Sequence, residues 1–534
     1  MIIRAFLVLL PMAACIVVAQ QPAPQGSQPS AGPSVPIELP EYVVTGKDRV
    51  DIPGATKSDP MRPPVLGKAR LDTLNSLEKL SPPILAPASL PVPRRTMAFL
   101  PGFLQAEFGQ YGTPDVVAGY SLEASGYRID AQANLETSAG HTTNASYTKA
   151  GLRALSTYVA PDKFIFFGGS TTEVDVSART SSYRFFAVPD AAERTVTSLR
   201  AGLGVDGTYD GFDYTAQTGY VATATTLADR SARDGDLFGT VTAQNRWRLF
   251  DVGGRISMNL RSFNGNAYPA AELVGFGRYA DERYRLLVQA GFQSVTSTAA
   301  VGRGGIVVAG TADVFLSHDV TINASLRTGL RPVGFADLLQ ENPYVHDSVL
   351  IDAALDVIDV GGMVTYHPSV RLAASAGLRL AQTDRTPIWV DASAGAFALT
   401  YAATTRVEVP VEVRWIAGSR DIIVADARLV SATVADQKNL PYAASRASIR
   451  YERLWTEALR STLAAMYVGE RFADLANTIS LTGYVDVRVR VDYDVTPTLA
   501  VQVRAHNLLA SEIILWNGYR ERGVFVSGGV TWRF

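Results

Sequence analysis

The chain has 534 residues, more than one ordinary soluble core accommodates. Hydrophobic residues make up 47% and charged residues 19%. That is far too polar for a helical membrane protein, but it suits a transmembrane barrel, in which only alternate residues of each strand meet lipid. The net charge of −2, with no basic stripe, excludes a nucleic-acid footprint.

The first 19 residues read as a signal peptide. Arg4 is its positive start, residues 5–19 are apolar apart from Pro11, and Val17 and Ala19 precede a cut before Gln20. A membrane anchor is the bland alternative, but the stretch is shorter than the roughly 20 residues a spanning helix needs. A second alternative is a lipoprotein, with Met12-Ala13-Ala14-Cys15 similar to a lipobox. Cys15 is the single cysteine, so the mature chain carries no disulfide and no thiolate metal site.

Residues 20–102 form a second region. More than half of the 28 prolines fall before residue 102, which favours extended chain with little burial. The island Glu41–Pro53 is β-prone, and residues 65–80 have the spacing of one short helix.

From Phe103 to Phe534 one pattern recurs: alternation with period two over about ten residues, followed by turn residues. In Tyr127–Glu136, Tyr127, Ile129, Ala131, Ala133 and Leu135 share a face, and Arg128, Asp130, Gln132, Asn134 and Glu136 share the other. Phe212–Ala222, Tyr284–Phe292, Val485–Tyr493 and Leu499–Ala505 alternate likewise. No helical pattern covers such a sheet, and one face carries mixed Arg and Asp. Backbone groups in lipid must all pair, so the sheet is expected to close. The expected fold is therefore all-β, a large closed antiparallel barrel of about 22 strands, with 18 to 24 compatible with the length. Near the C-terminus, long connections at Ala432–Ser445, Glu470–Leu481 and Ala510–Arg522 alternate with short ones at Leu454–Ala458 and Asp494–Thr498. Short turns belong in the periplasm and long loops outside. The final strand places Val524, Val526, Gly528, Val530, Trp532 and Phe534 on one face.

Motifs for chemistry give little. Gly202-Leu203-Gly204-Val205-Asp206-Gly207 matches a dinucleotide pattern but lies on a strand pattern rather than opening a helix. None of the five histidines, His141, His318, His346, His367 and His506, forms a metal-spaced pair. Asp229–Asp236 lacks the spacing of a calcium loop and reads as a solvated loop. No cofactor, no metal site and no enzymatic activity is expected. On the charged face of the last strands, Asp486, Arg488, Arg490, Asp492, Gln502, Arg504 and His506 are the candidates to line the lumen.

An ordered set of C-terminal motifs resembles the barrel of TonB-dependent receptors. It runs through Leu440-Pro441-Tyr442, Tyr467-Val468-Gly469-Glu470-Arg471-Phe472, Asp474, Asn477-Thr478, Leu481-Thr482-Gly483-Tyr484, Thr496-Pro497-Thr498-Leu499 and His506-Asn507-Leu508-Leu509, and closes at Gly528–Phe534. Glu41-Tyr42-Val43-Val44-Thr45-Gly46 is similar to the segment where that family's TonB box meets its plug. The resemblance implies a cell outer membrane location in a Gram-negative-type envelope. It also implies contact with outer-membrane lipid, and insertion by the barrel assembly machinery with Trp532 and Phe534 as the C-terminal signal. A periplasmic or TonB-like partner would bind residues 38–60. The departure is the plug: under 60 proline-rich residues separate Gly46 from Phe103, where a plug needs well over a hundred. Two functions remain open. One is a plugless barrel acting as a channel or import component. The other is a closed barrel anchor whose N-terminal arm binds a periplasmic or envelope partner.

Overall fold

A computed structural model describes residues 100–162, 168–228, 230–434 and 438–534. The leader, the Glu41–Gly46 island and the helix expected over 65–80 lie outside the described residues.

Among the described residues, 22 antiparallel strands form one closed barrel. A two-residue strand, Asn266–Ala267, adds to one rim against Ser262 and Phe263. The first strand, Gly102–Gly109, pairs with the next, Thr113–Ala124, and with the last, Phe525–Arg533; Phe103 stands opposite Arg533 and Gly109 opposite Ser527. Gly102 and Phe534 exchange backbone hydrogen bonds of 2.8 and 2.9 Å at the seam. Closure removes every free edge, which is the condition for a sheet to stand in lipid.

The period-two segments are strands, some longer than the alternation alone suggests. Tyr127–Ser138, Phe212–Leu227, Tyr284–Thr296, Tyr484–Asp494 and Leu499–His506 contain the five expected runs. Gly202–Gly207 lies inside the strand Glu193–Tyr209. The Asp229–Asp236 stretch departs from the expectation: Arg230–Asp236 is strand, not loop, because it continues the alternation of Arg230–Trp247.

The outer face is apolar. Leu152, Ile256, Phe292 and Val503 are each more than half exposed, a surface that would aggregate in water and that lipid requires. Exposed aromatics gather where strands meet the rim that carries Gly102 and Phe534: Tyr209, Phe212, Trp247, Phe250, Trp415 and Trp532. This is the position of an interfacial girdle. Most turns at that rim are tight, the connection 160–170 being the longer exception. Asp210 and Gly211 both have positive φ, 49° and 82°, the geometry a two-residue hairpin needs to match strand twist. The opposite rim carries the long connections 332–353, 434–445, 469–483 and 507–524. No described helix is long and apolar enough to cross a membrane.

Candidate functional site

The longest of these connections does not lie over the rim. Residues 332–353 join Val320–Arg331 to Ala354–Ser369. Yet they bind side chains on Glu193–Tyr209 and Phe212–Leu227, six or seven strands away round the wall. Chords of that kind cross the bore.

The connection opens with a short helix, α1 (Phe335–Glu341). The Gly334 N–H donates to the Asp337 carboxylate at 2.9 Å, satisfying an amide that the helix leaves free. Phe335, Leu338 and Leu339 fall at i, i+3 and i+4 and are buried together. They join a cluster with Phe263, Tyr268, Val345, Ile351 and Phe397. From Leu372–Asp391, the strand paired with Ala354–Ser369, the Trp389 indole N–H donates to Glu341 at 2.9 Å.

A buried ion pair fixes the next turn. Arg194 Nη2 donates to Asp347 Oδ1 at 2.7 Å, and the two side chains are 0% and 4% exposed. Thr225 Oγ1 donates to the same oxygen at 2.8 Å, and Arg194 Nη1 donates to the Pro343 carbonyl at 2.9 Å. The guanidinium lies over the Phe185 ring, 4.8 Å from its centroid. Asn264 Nδ2 donates to the Asp347 carbonyl at 2.9 Å. Removing one partner of such a pair leaves a buried charge and costs about 3–5 kcal/mol.

Above the loop, aromatic rings from separate connections close together. Tyr344 stacks on Tyr519 with centroids 3.4 Å apart, and Phe186 meets Tyr519 edge-on at 5.0 Å. Trp516 packs against Tyr442 at 4.6 Å, Phe397 at 5.4 Å and Trp389 at 5.7 Å. Burial pushes the Tyr344 and Tyr519 hydroxyls above the usual phenol range, so the roof stays neutral. Beside the loop remains a cavity of about 1330 Å³, bounded by Tyr344 and Leu339 on the loop side and by Arg153, Asp175, Arg200 and Asp236 on the wall.

The sequence-predicted charged residues lie at the barrel seam and are largely engaged with one another. Arg488 binds Asp486 at 2.6 Å and Arg490 binds Asp492 at 2.7 Å. Arg490 Nη2 also donates to Gln502 Oε1 at 2.9 Å, and Arg504 pairs with Glu107 at 3.0 Å. His506 ends its strand half-buried, tilted against Phe525 with centroids 6.1 Å apart. Trp532 and Phe534 meet at a tilt, centroids 4.7 Å apart, on the outer face, about half exposed. Asp234 and Asp236, from the stretch expected to be a solvated loop, accept hydrogen bonds from Tyr268 at 2.6 Å and from Arg261 at 3.0 Å.

The C-terminal motif residues serve turns. Asp474 accepts from the N–H groups of Ile479 and Thr478 at 2.8 and 2.9 Å. Burial alone would raise its carboxyl, but these bonds prevail and hold it below the usual carboxylate range. Asn477, at φ 57°, exchanges bonds of 2.7 and 2.9 Å with the Asn439 backbone and so ties two rim loops together. Asn507, at φ 51° and buried, exchanges 2.9 Å bonds with Ser511 and donates its N–H to Asp486. The Arg194–Asp347 pair was not anticipated. The only sequence signal is that Pro332–Asp352 interrupts the alternation and contains apolar residues at helical spacing.

No protein-family model matches the chain, and no curated protein matches it. Solved structures do. The FrpB iron transporter from Neisseria meningitidis superposes with a TM-score of 0.66 at 11% identity over 81% of each chain. The copper transporter OprC gives 0.65 at 13%, covering 83% of this chain and 81% of its own. The ferric-catecholate import receptor Fiu from E. coli gives 0.64 at 10%, covering 83% and 82%. With its apolar outer band and closed strand ring, the chain has the 22-stranded outer-membrane barrel fold that TonB-dependent receptors share.

Proposed function

We propose that this chain is an outer-membrane channel or import component that works without a plug, with residues 332–353 as its resident stopper. One observation carries the reading: a charged cavity of about 1330 Å³ lies inside the barrel, against a loop that a single buried ion pair fixes to the far wall. A filled structural barrel has no need of a cavity walled by arginines. The neighbours in fold are transporters and an import receptor, which supports import rather than catalysis. In this reading Asp486, Arg488, Arg490, Asp492, Gln502, Arg504 and His506 border the lumen, and no reaction is assigned. Residues 20–102 thread the lumen or hang into the periplasm. Glu41–Gly46 engages a TonB-like partner, and Trp532 and Phe534 address the assembly machinery.

Single-channel conductance in planar bilayers tests this. The mature chain, a deletion of residues 20–102 and Asp347→Ala are compared. Current through either variant, above that of the mature chain, is expected. Silence from all three sinks the channel reading. The second reading is then the one to pursue: a closed anchor whose N-terminal arm binds an envelope partner. The observation favouring it is the aromatic roof, which packs Tyr344, Tyr519, Phe186 and Trp516 over the bore.

A further inference from the structure

We infer that the cavity wall built by Tyr147–Val159, Thr171–Arg184 and Glu193–Tyr209 is a binding site for a small solute carrying two or more anionic oxygens, as in phosphate or a polycarboxylate. The inference deepens the import reading by naming a solute class, and its test reads binding rather than flow.

Register places three guanidiniums together. Arg153 stands opposite Ser177, and Ser177 stands opposite Arg200, so two arginines flank one serine in a single row. Neighbouring strands lie just under 5 Å apart, which puts those two Cα atoms about 10 Å apart. Arg179 projects from the same face two residues along, between Gly151 and Ser198. All three arginines line the cavity and are exposed to it.

One lining carboxylate, Asp175, serves two of the three. Asp175 takes Arg153 in a two-pronged pair, 3.0 and 3.2 Å, and lies 3.8 Å from Arg200 Nε. Arg179 has no ion pair or side-chain hydrogen bond among the described residues. Arg255 with Glu272, Arg261 with Asp236 and Arg490 with Asp492 show the ordinary structural solution, a carboxylate for each guanidinium. The arginine row departs from it: Asp175 is the one carboxylate that these three strands give to the cavity lining, which leaves two positive charges of the row in excess, while Glu173 and Asp206 lie further along the same face, outside the lining.

The excess is local to this row. Lys149 and Arg184 in the lining are bound to Glu136 and Glu193, each at 3.3 Å. Of the lining carboxylates, Asp236 is neutralised by Arg261; Asp234 and Asp337, hydrogen-bonded by Tyr268 and the Gly334 N–H, keep their charge and stand on other elements than the arginine row. Glu521, in the rim loop 507–524, is the lining carboxylate without a side-chain partner, and it stands off the strand wall. Guanidinium forks match oxyanions two bonds at a time.

Isothermal titration of the detergent-purified full chain, at low salt, with citrate and with inorganic phosphate as probes, tests the site. Heat-modifiable gel migration verifies the folded barrel. Saturable binding of at least one probe is expected, and the stronger of the two names the oxyanion. Arg179→Ala should weaken it by about tenfold, the effect of one charge-assisted bond pair. Asp175→Asn should tighten it several-fold, a gain that misfolding cannot imitate. Absence of saturable binding, or binding left unchanged by both variants, overturns the inference. Conductance without anion binding would sink this site alone. Anion binding without conductance would leave the site standing and sink the channel.

Discussion

Glu107 on the first strand accepts a hydrogen bond from Gln502 at 2.5 Å, although the last strand lies between them. Gly529 makes this possible. It faces Glu107 on one side and Gln502 on the other, and a side chain there would collide with the Glu107 stem. Arg504 and Gln105 bind the same carboxylate oxygen, at 3.0 and 2.6 Å. The seam is therefore stitched by side chains as well as by backbone.

Gly529→Val should displace Glu107 and break that stitch. Overpacking and the lost charged bond together predict destabilisation of about 2–4 kcal/mol. The midpoint of urea-dependent loss of the compact, heat-modifiable gel form measures it. A midpoint unchanged from the parent would show that the backbone ladder alone holds the seam.

Asp347→Ala strands Arg194 in an apolar setting and frees the turn it anchors. The barrel wall should survive, because its ladder does not pass through this pair. Hydrogen exchange of amides 335–351 is expected to accelerate by about two to four orders of magnitude, corresponding to about 3–5 kcal/mol. Strand amides in Tyr284–Thr296 should keep their protection. Uniform acceleration everywhere would instead mark the pair as a support of the whole barrel.

Tyr519→Ala removes the ring stacked on Tyr344 and opens the roof between loops. Liposome-swelling rates for small neutral sugars should rise, and more so when combined with Asp347→Ala. Equal rates in both variants and the parent would place the barrier elsewhere.

Loop 469–483 should loosen in acid. The Asp474 carboxyl sits below its ordinary value when folded, so its contribution is present above the unfolded value of 3.8 and is lost as pH falls through the lower folded value. Local proteolysis of this loop by an acid-active protease should rise below about pH 4, and Asp474→Asn should be susceptible at neutral pH as well. Cleavage independent of pH in the parent would contradict this.

Much of the wall was legible in the sequence because a strand with one face in lipid and one in water must alternate. Tyr127–Glu136 and Val485–Tyr493 do so over the length of a membrane-crossing stave, and the pattern recurs along the chain with no helix pattern to cover a sheet. The family-like motifs at Asp474, Asn477 and Asn507 were legible for a related reason: left-handed turns and amide-capping carboxylates favour particular residues. Arg194 and Asp347 were not legible. They are 153 residues apart, and nothing in alternation says which loop turns inward. The arginine row was hidden similarly, since Arg153, Arg179 and Arg200 become neighbours only through strand register. Asp229–Asp236 misled because its polar, charged composition resembles a loop, while its partners Tyr268 and Arg261 come from other parts of the wall.

The stopper is continuous with the wall at both ends, at Arg331 and Ala354. As the proposed stopper it could swing but never diffuse away, so each opening would be followed by reclosure at a rate independent of protein concentration. The tether keeps Asp347 at a high effective concentration near Arg194. In the proposed import reading such a barrel would carry its own door, and a single stretch of 22 residues, 332–353, would set both how often the door opens and how soon it shuts.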